Sequence, residues 1–285
     1  MTTEPVERTF TVDGVRRTAL LVRPDAASAP RPLVIELHGS GHSGADQLAV
    51  SGFAERAQND GFIVAAPDAL TPVRTRPEWP EGRAWNVPGV PLVTGERPEH
   101  PPDDVAFVRE LIAALIADGS VDSQRVYIAG FSGGARLASY LAGALAGRIA
   151  AVGTVAGLRV PPDCGTPLPP IVAIHSRADQ INPYDGGADA RWDLGVAATE
   201  AAIAAREHLR GPETVAYGGV TRRAYTGANG DERLVSYTLD EGLHNWPGSP
   251  DVRHRFQYGR TATLDATAVL TTFFLERRAA RMTDG

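Results

Sequence analysis

Val126-Tyr127-Ile128-Ala129-Gly130-Phe131-Ser132-Gly133-Gly134-Ala135-Arg136-Leu137-Ala138-Ser139-Tyr140 is the stretch from which this chain is best read. An apolar, strand-type run from Val126 to Ala129 enters a turn of small residues. A helix-type run from Ala135 to Ala146 leaves it. Gly130-Phe131-Ser132-Gly133-Gly134 has the G-x-S-x-G form, which sets a serine on a sharp, strained strand-to-helix turn. Such a turn tolerates almost no side chains beside the serine, and glycine occupies the flanking positions. Ser132 is expected to project its hydroxyl from a strand end, with a helix N-terminus behind it.

Strand and helix signals alternate on either side of that turn. Residues 6–12 and 16–23 alternate about Asp13-Gly14, a two-residue hairpin signal that predicts an antiparallel edge. A Pro/Ala/Ser linker spans 24–32. Strands are predicted at 33–37, 62–66, 149–156, 171–175 and 234–239, and helices at 45–59, 105–117, 189–208 and 261–277. The strands inside this alternation are continuously apolar, as burial on two faces demands. The pattern predicts an α/β fold: a mainly parallel central sheet with helices on both faces and an N-terminal antiparallel hairpin. There is no repeat and no composition break, so residues 1–285 read as one catalytic domain. Residues 68–101 form a long irregular stretch rich in Pro, Gly and Arg, of the kind that borders functional sites.

Composition narrows the chemistry. The chain has 285 residues and a formal net charge of −6, with no basic block, which argues against a nucleic-acid surface. All 28 basic residues are arginine, and coding bias is the simplest account of that. The one cysteine, Cys164, allows neither an intrachain disulfide nor a cysteine-based zinc site. The first residues lack the basic and apolar regions of a signal peptide, and no run reaches the ~18 apolar residues of a membrane span. A cytoplasmic location is therefore expected, with no membrane partner.

A serine needs a general base to act as a nucleophile. With a nucleophile elbow the chain order is serine, then acid, then histidine. Four histidines follow Ser132: His175, His208, His244 and His254. His244 is favoured because it lies in the loop directly after the last predicted strand. Asp179 is the favoured acid, a short turn after the strand 171–175, with Asp185 and Asp240 as alternatives. Oxyanion donors are expected from the Gly133 amide, just after the serine, and from His38-Gly39-Ser40-Gly41, with Ser40 preferred. Trp85, Trp246, Gly41 and His42 are candidate substrate contacts, against the plainer reading of packing or an exposed loop.

Several segments together resemble a known family, the esterases that include polyhydroxybutyrate depolymerases and feruloyl or acetylxylan esterases. Leu37-His38-Gly39-Ser40-Gly41 is similar to its L-H-G-C-G segment, Ala84-Trp85-Asn86 to C-W-N, and Asp103-Asp104-Val105-Ala106-Phe107-Val108 to D-D-V-G-F-I. The elbow resembles G-x-S-N-G. His175-Ser176-Arg177-Ala178-Asp179 through Gly187 resembles H-G-T-A-D-x-x-V-P-Y-x-G-G, and Gly242 to Gly248 resembles G-G-G-H-x-W-P-G. The likeness runs from about residue 33 to the last helix. It implies an α/β-hydrolase fold and serine esterase chemistry, with Ser132, Asp179 and His244 in the triad positions. It implies a small-molecule ester as partner and no metal or organic cofactor. Three departures stand out: Ser40 for cysteine, Gly133 for asparagine and Leu243 for glycine. Acyl transfer or peptide hydrolysis on the same triad, and a non-catalytic binding protein on this fold, are the alternative readings. Oligomeric state is left open, because an apolar helix face can serve a core or an interface.

Overall fold

The computed structural model describes residues 4–24 and 30–279. Most of the predicted linker, residues 25–29, lies outside them. In chain order the first half contains β1 (Val6–Val12), β2 (Val15–Val22), β3 (Arg31–Leu37), α1 (Gly44–Ser51), α2 (Phe53–Asp60), β4 (Ile63–Pro67), β5 (Thr71–Val73), β6 (Gly82–Ala84) and α3 (Asp104–Ala117). The elbow elements β7 (Val121–Phe131) and α4 (Gly133–Ala144) follow. Then come β8 (Ala151–Val155), β9 (Ile171–Ser176), α5 (Val196–Arg206), β10 (Arg210–Tyr217), β11 (Val220–Thr226), β12 (Glu232–Leu239), α6 (Val252–Tyr258) and α7 (Ala266–Leu275).

One sheet of ten strands runs β1-β2-β4-β3-β7-β8-β9-β12-β11-β10. The six strands from β4 to β12 are parallel, and antiparallel pairs extend the sheet at both ends. The hairpin about Asp13-Gly14 supplies one of those ends, with Val12 opposite Val15.

Alternate residues of the central strands feed two separate cores, which is why these strands are apolar throughout. Leu33, Ile35, Val126, Ile128, Ile171 and Ala173 pack on one side with α3, α4 and α5. Val34, Tyr127, Ala129, Val172 and Ile174 pack on the other with α1, α2 and α7. The arrangement is an α/β-hydrolase fold.

Four expectations need correction. The helix predicted at 45–59 is two helices, because Gly52 takes φ 70° and caps α1 while starting α2. The stretch 68–101 holds a short antiparallel ribbon, β5–β6. The helix predicted at 189–208 begins only at Val196, and the closing helix only at Ala266. The hairpin β10–β11 and the helix α6 were not foreseen. Every residue of β10 is exposed, so it lacks the apolar alternation that announces a strand.

Two buried ionic features belong to this frame. Arg17 on β2 pairs with Asp104 at the start of α3 at 2.5 Å, and its guanidinium lies 4.0 Å from the centroid of the Phe107 ring. Glu36 on β3 is fully enclosed. Burial pushes its carboxyl up to about 8, an effect that the neighbouring Ser51 and Gln47 offset only in part.

Candidate active site

The elbow has the strain its sequence predicts. Ser132 sits at φ 51° and ψ −112°, a conformation that persists only when its surroundings impose it. A Cβ on Gly130 would overlap the backbone of Gly134, and one on Gly134 would overlap the carbonyls of Leu37 and His38. The elbow is thus pressed against the end of β3. The backbone N–H of Ser132 donates to the Val155 carbonyl at 2.9 Å, which ties the turn to β8.

The ends of three parallel strands bring Ser132, Asp179 and His244 together. His244 Nε2 lies 2.9 Å from Ser132 Oγ, and His244 Nδ1 lies 2.8 Å from Asp179 Oδ2. All three side chains are buried or nearly so. The other Asp179 oxygen accepts the backbone N–H groups of Ile181 at 2.9 Å and Asn182 at 2.8 Å. Burial opposes ionisation of Asp179. The hydrogen bond and charge of His244, with help from His175 and the Asn182 amide, outweigh it and hold the carboxyl below its usual range. The alternative acids stand elsewhere: Asp185 is exposed, and Asp240 is exposed and pairs with Arg177 at 3.2 Å.

Three other histidines, His38, His175 and His254, have structural work, while His208 is exposed. His38 Nδ1 donates to the Gly39 carbonyl at 2.8 Å, and its Nε2 accepts the Ala69 amide at 3.0 Å. Burial lowers its pKa to about 4, so it stays neutral in that role. His175 donates from Nε2 to the Asn182 carbonyl at 2.8 Å, bracing the turn that carries Asp179. His254 Nε2 accepts the Trp246 amide at 2.9 Å and so pins the loop that carries His244. Burial lowers the His254 pKa to about 4 as well.

Ser40 and Gly133 lie side by side next to Ser132. A Cβ on Gly133 would sit 3.2 Å from the Ser40 nitrogen and would overlap the Ser40 hydroxyl. As the first residue of α4, Gly133 has no intrahelical acceptor for its amide.

A cleft of about 160 Å3 opens over this group. Its walls include Ser40, His42, Phe131, Asn182 and Tyr258, with Thr75, Arg76, Trp79 and Val93 from the long 68–101 stretch. His42 Nε2 lies 3.3 Å from the Tyr258 hydroxyl, and both residues line the cleft.

Trp85, Trp246 and Gly41, expected to contact substrate, do not line it. Trp85 is buried and donates Nε1–H to the His38 carbonyl at 2.9 Å. The next residue, Asn86, donates its amide to Asp104 at 2.7 Å. Arg17, Asp104, Asn86, Trp85 and His38 therefore form one buttress behind the Ser40 loop. Trp246 is buried between Phe53 and Phe131 and donates Nε1–H to Thr267 Oγ1 at 2.9 Å. The Gly41 amide is used by the Arg83 carbonyl at 2.8 Å.

Sequence reasoning passed over the cleft residues Trp79, Tyr258, Asn182 and Arg136. For Arg136 a signal existed, since it falls one helical turn after Ser132 on a helix whose start must be buried. Among the described residues, no group of three His, Cys, Asp or Glu side chains is placed to hold a metal ion. No helix among them is long and apolar enough to cross a membrane.

The fold and the serine-bearing elbow define a hydrolase of the α/β class. Residues 17–202 match the model of the family described as Esterase PHB depolymerase. The chain belongs to that family of carboxylic ester hydrolases. It is 32% identical over 260 residues to NocK of Nocardia uniformis subsp. tsuyamanensis, a provisionally named esterase; the match covers 82% of this chain and 71% of that one. It is 33% identical over 162 residues to feruloyl esterase B of Piromyces equi, covering 55% of this chain but only 27% of that longer protein. Among solved structures, acetyl xylan esterase from Aspergillus awamori superposes with a TM-score of 0.62 at 14% identity, over 84% of this chain and 94% of that one.

Proposed function

We propose that this protein hydrolyses small carboxylic esters through an acyl-enzyme on Ser132. The observation that carries the reading is the continuous hydrogen-bond line from Ser132 Oγ to His244 at 2.9 Å and on to Asp179 at 2.8 Å. His244 Nε2 takes the Ser132 proton as Oγ attacks the ester carbonyl. Asp179, held ionised, fixes the Nδ1–H tautomer and stabilises the imidazolium. The amides of Ser40 and Gly133 receive the oxyanion. His244 then protonates the departing alkoxide. Next it draws a proton from water, whose oxygen attacks the acyl carbonyl and frees Ser132.

The size of the cleft supports a small substrate. A dry cavity of about 150 Å3 holds one benzene ring, so a cleft of about 160 Å3 suits a short aliphatic or single aryl group. The test is turnover of p-nitrophenyl acetate by wild type and Ser132→Ala. Loss of about 10,000-fold or more in kcat is expected, and equal rates would overturn the proposal.

A further inference from the structure

Arg136 lies on α4, one turn beyond Ser132, and lines the cleft. It is only 5% exposed. Its Nε and Nη1 are buried without a hydrogen-bond partner, and among the described residues no acid forms an ion pair with it. The other deeply buried arginine, Arg17, has Asp104 at 2.5 Å, and the partly buried Arg223 has Glu200 at 3.0 Å. Arg136 has only the face of Trp192, 5.0 Å from its guanidinium carbon, which leaves the in-plane N–H groups free.

The surrounding charges compensate it only in part, since Asp189 favours the cation while Arg191 and Arg159 oppose it. Arg191, also on the cleft wall, is engaged by Asp189, and Arg159 pairs with Asp193 at 3.1 Å. Burial pulls the Arg136 guanidinium down to about 9, and Arg191 and Arg159 add to that, yet it remains protonated at neutral pH. A buried cation left unpaired is strongly destabilising unless something answers it. Gly133 leaves the way open: even a Cβ there would stand 3.4 Å from Arg136 Nη2, in the space shared with Ser40.

We infer that Arg136 receives a carboxylate carried by the acyl part of the substrate, so that the preferred ester is a monoester of a short dicarboxylic acid. The guanidinium fork matches a carboxylate in two parallel hydrogen bonds. One positive charge without an ion-pair partner calls for a monoanion. The small cleft places this charge and Ser132 within reach of one short acyl chain.

The inference rests on the esterase reading, and its test separates the two. Monomethyl esters of malonate through adipate are compared with methyl pentanoate, a neutral ester, by pH-stat titration. At least one monoester should exceed the neutral ester about tenfold in kcat/KM. Arg136→Gln should collapse that ratio about 30-fold, chiefly through KM, and Arg136→Lys should restore part of it. A wild type indifferent to the carboxylate, or a ratio unchanged in Arg136→Gln, would overturn the inference while leaving the esterase intact. Calorimetry with the same monoesters on Ser132→Ala supplies the other arm. Binding that disappears in Ser132→Ala/Arg136→Gln supports the anion site even if no ester is turned over. Absence of binding to Ser132→Ala counts against it.

Discussion

Replacing Glu36 by glutamine keeps the shape of a fully enclosed side chain on β3 and removes its ability to ionise. Burial raises this carboxyl from 4.5 to about 8 in the folded protein. The folded state therefore holds a proton that the unfolded state releases between those two values. Stability must fall as pH rises through that window and level off above it. At 1.36 kcal/mol per unit, the ionisation of Glu36 in the unfolded chain costs the native state about 1 kcal/mol at pH 5, about 3 at pH 7 and between 4 and 5 above pH 8.5. Glutamine abolishes this term. Urea unfolding of wild type and Glu36→Gln at those three pH values measures it, because titrations elsewhere cancel in the difference. The variant should gain on wild type by about 4 kcal/mol between pH 5 and pH 9. A difference that stays flat with pH would refute the argument that burial keeps Glu36 protonated.

Two further variants probe the frame around Ser132. Arg17→Met leaves Asp104 buried without its cation and should cost about 3–5 kcal/mol in chemical denaturation. The double variant Arg17→Met/Asp104→Leu should recover a good part of that, and an additive loss would sink the idea of a coupled pair. Gly133→Ala drives a methyl group into the Ser40 hydroxyl and should lower kcat on a short neutral ester tenfold or more. Adding Ser40→Ala vacates that space while keeping the amide, so activity should partly return; a double variant no better than the single one would show that the hydroxyl is not the obstacle.

The central part of this molecule was legible because steric demands wrote it into the sequence. Gly130 and Gly134 have no alternative where a Cβ would meet backbone. Continuous apolar runs such as Leu33–Leu37 and Ile171–Ile174 belong to strands with a core on each side. Chain order then singled out Asp179 and His244, which the fold brings to Ser132. Other parts left no such mark. β10 is exposed along its whole length, and its Arg-Gly-Pro start reads as loop. Gly52 in a helical pattern gives no warning that the axis turns there. Trp85 and Trp246 look alike in sequence whether an aromatic ring faces a ligand or props a loop. Only the hydrogen bonds to His38 and Thr267 decide it. Arg136 is harder to read, because an arginine in a helix ordinarily points to solvent, and its place one turn after the elbow serine is the only hint that this one is enclosed.

Ser132, Asp179 and His244 emerge from β7, β9 and β12, and β12 is the last of the parallel strands along the chain. The His244 loop is in turn held by His254 on α6 and by Thr267 on α7, both later in the chain. A chain that ends before α7 keeps the serine and the His254 brace but loses the Thr267 anchor of the His244 loop. The groups that set the proposed nucleophile and its base are thus spread from β7 to α7, so the site draws on α7 as much as on the sheet.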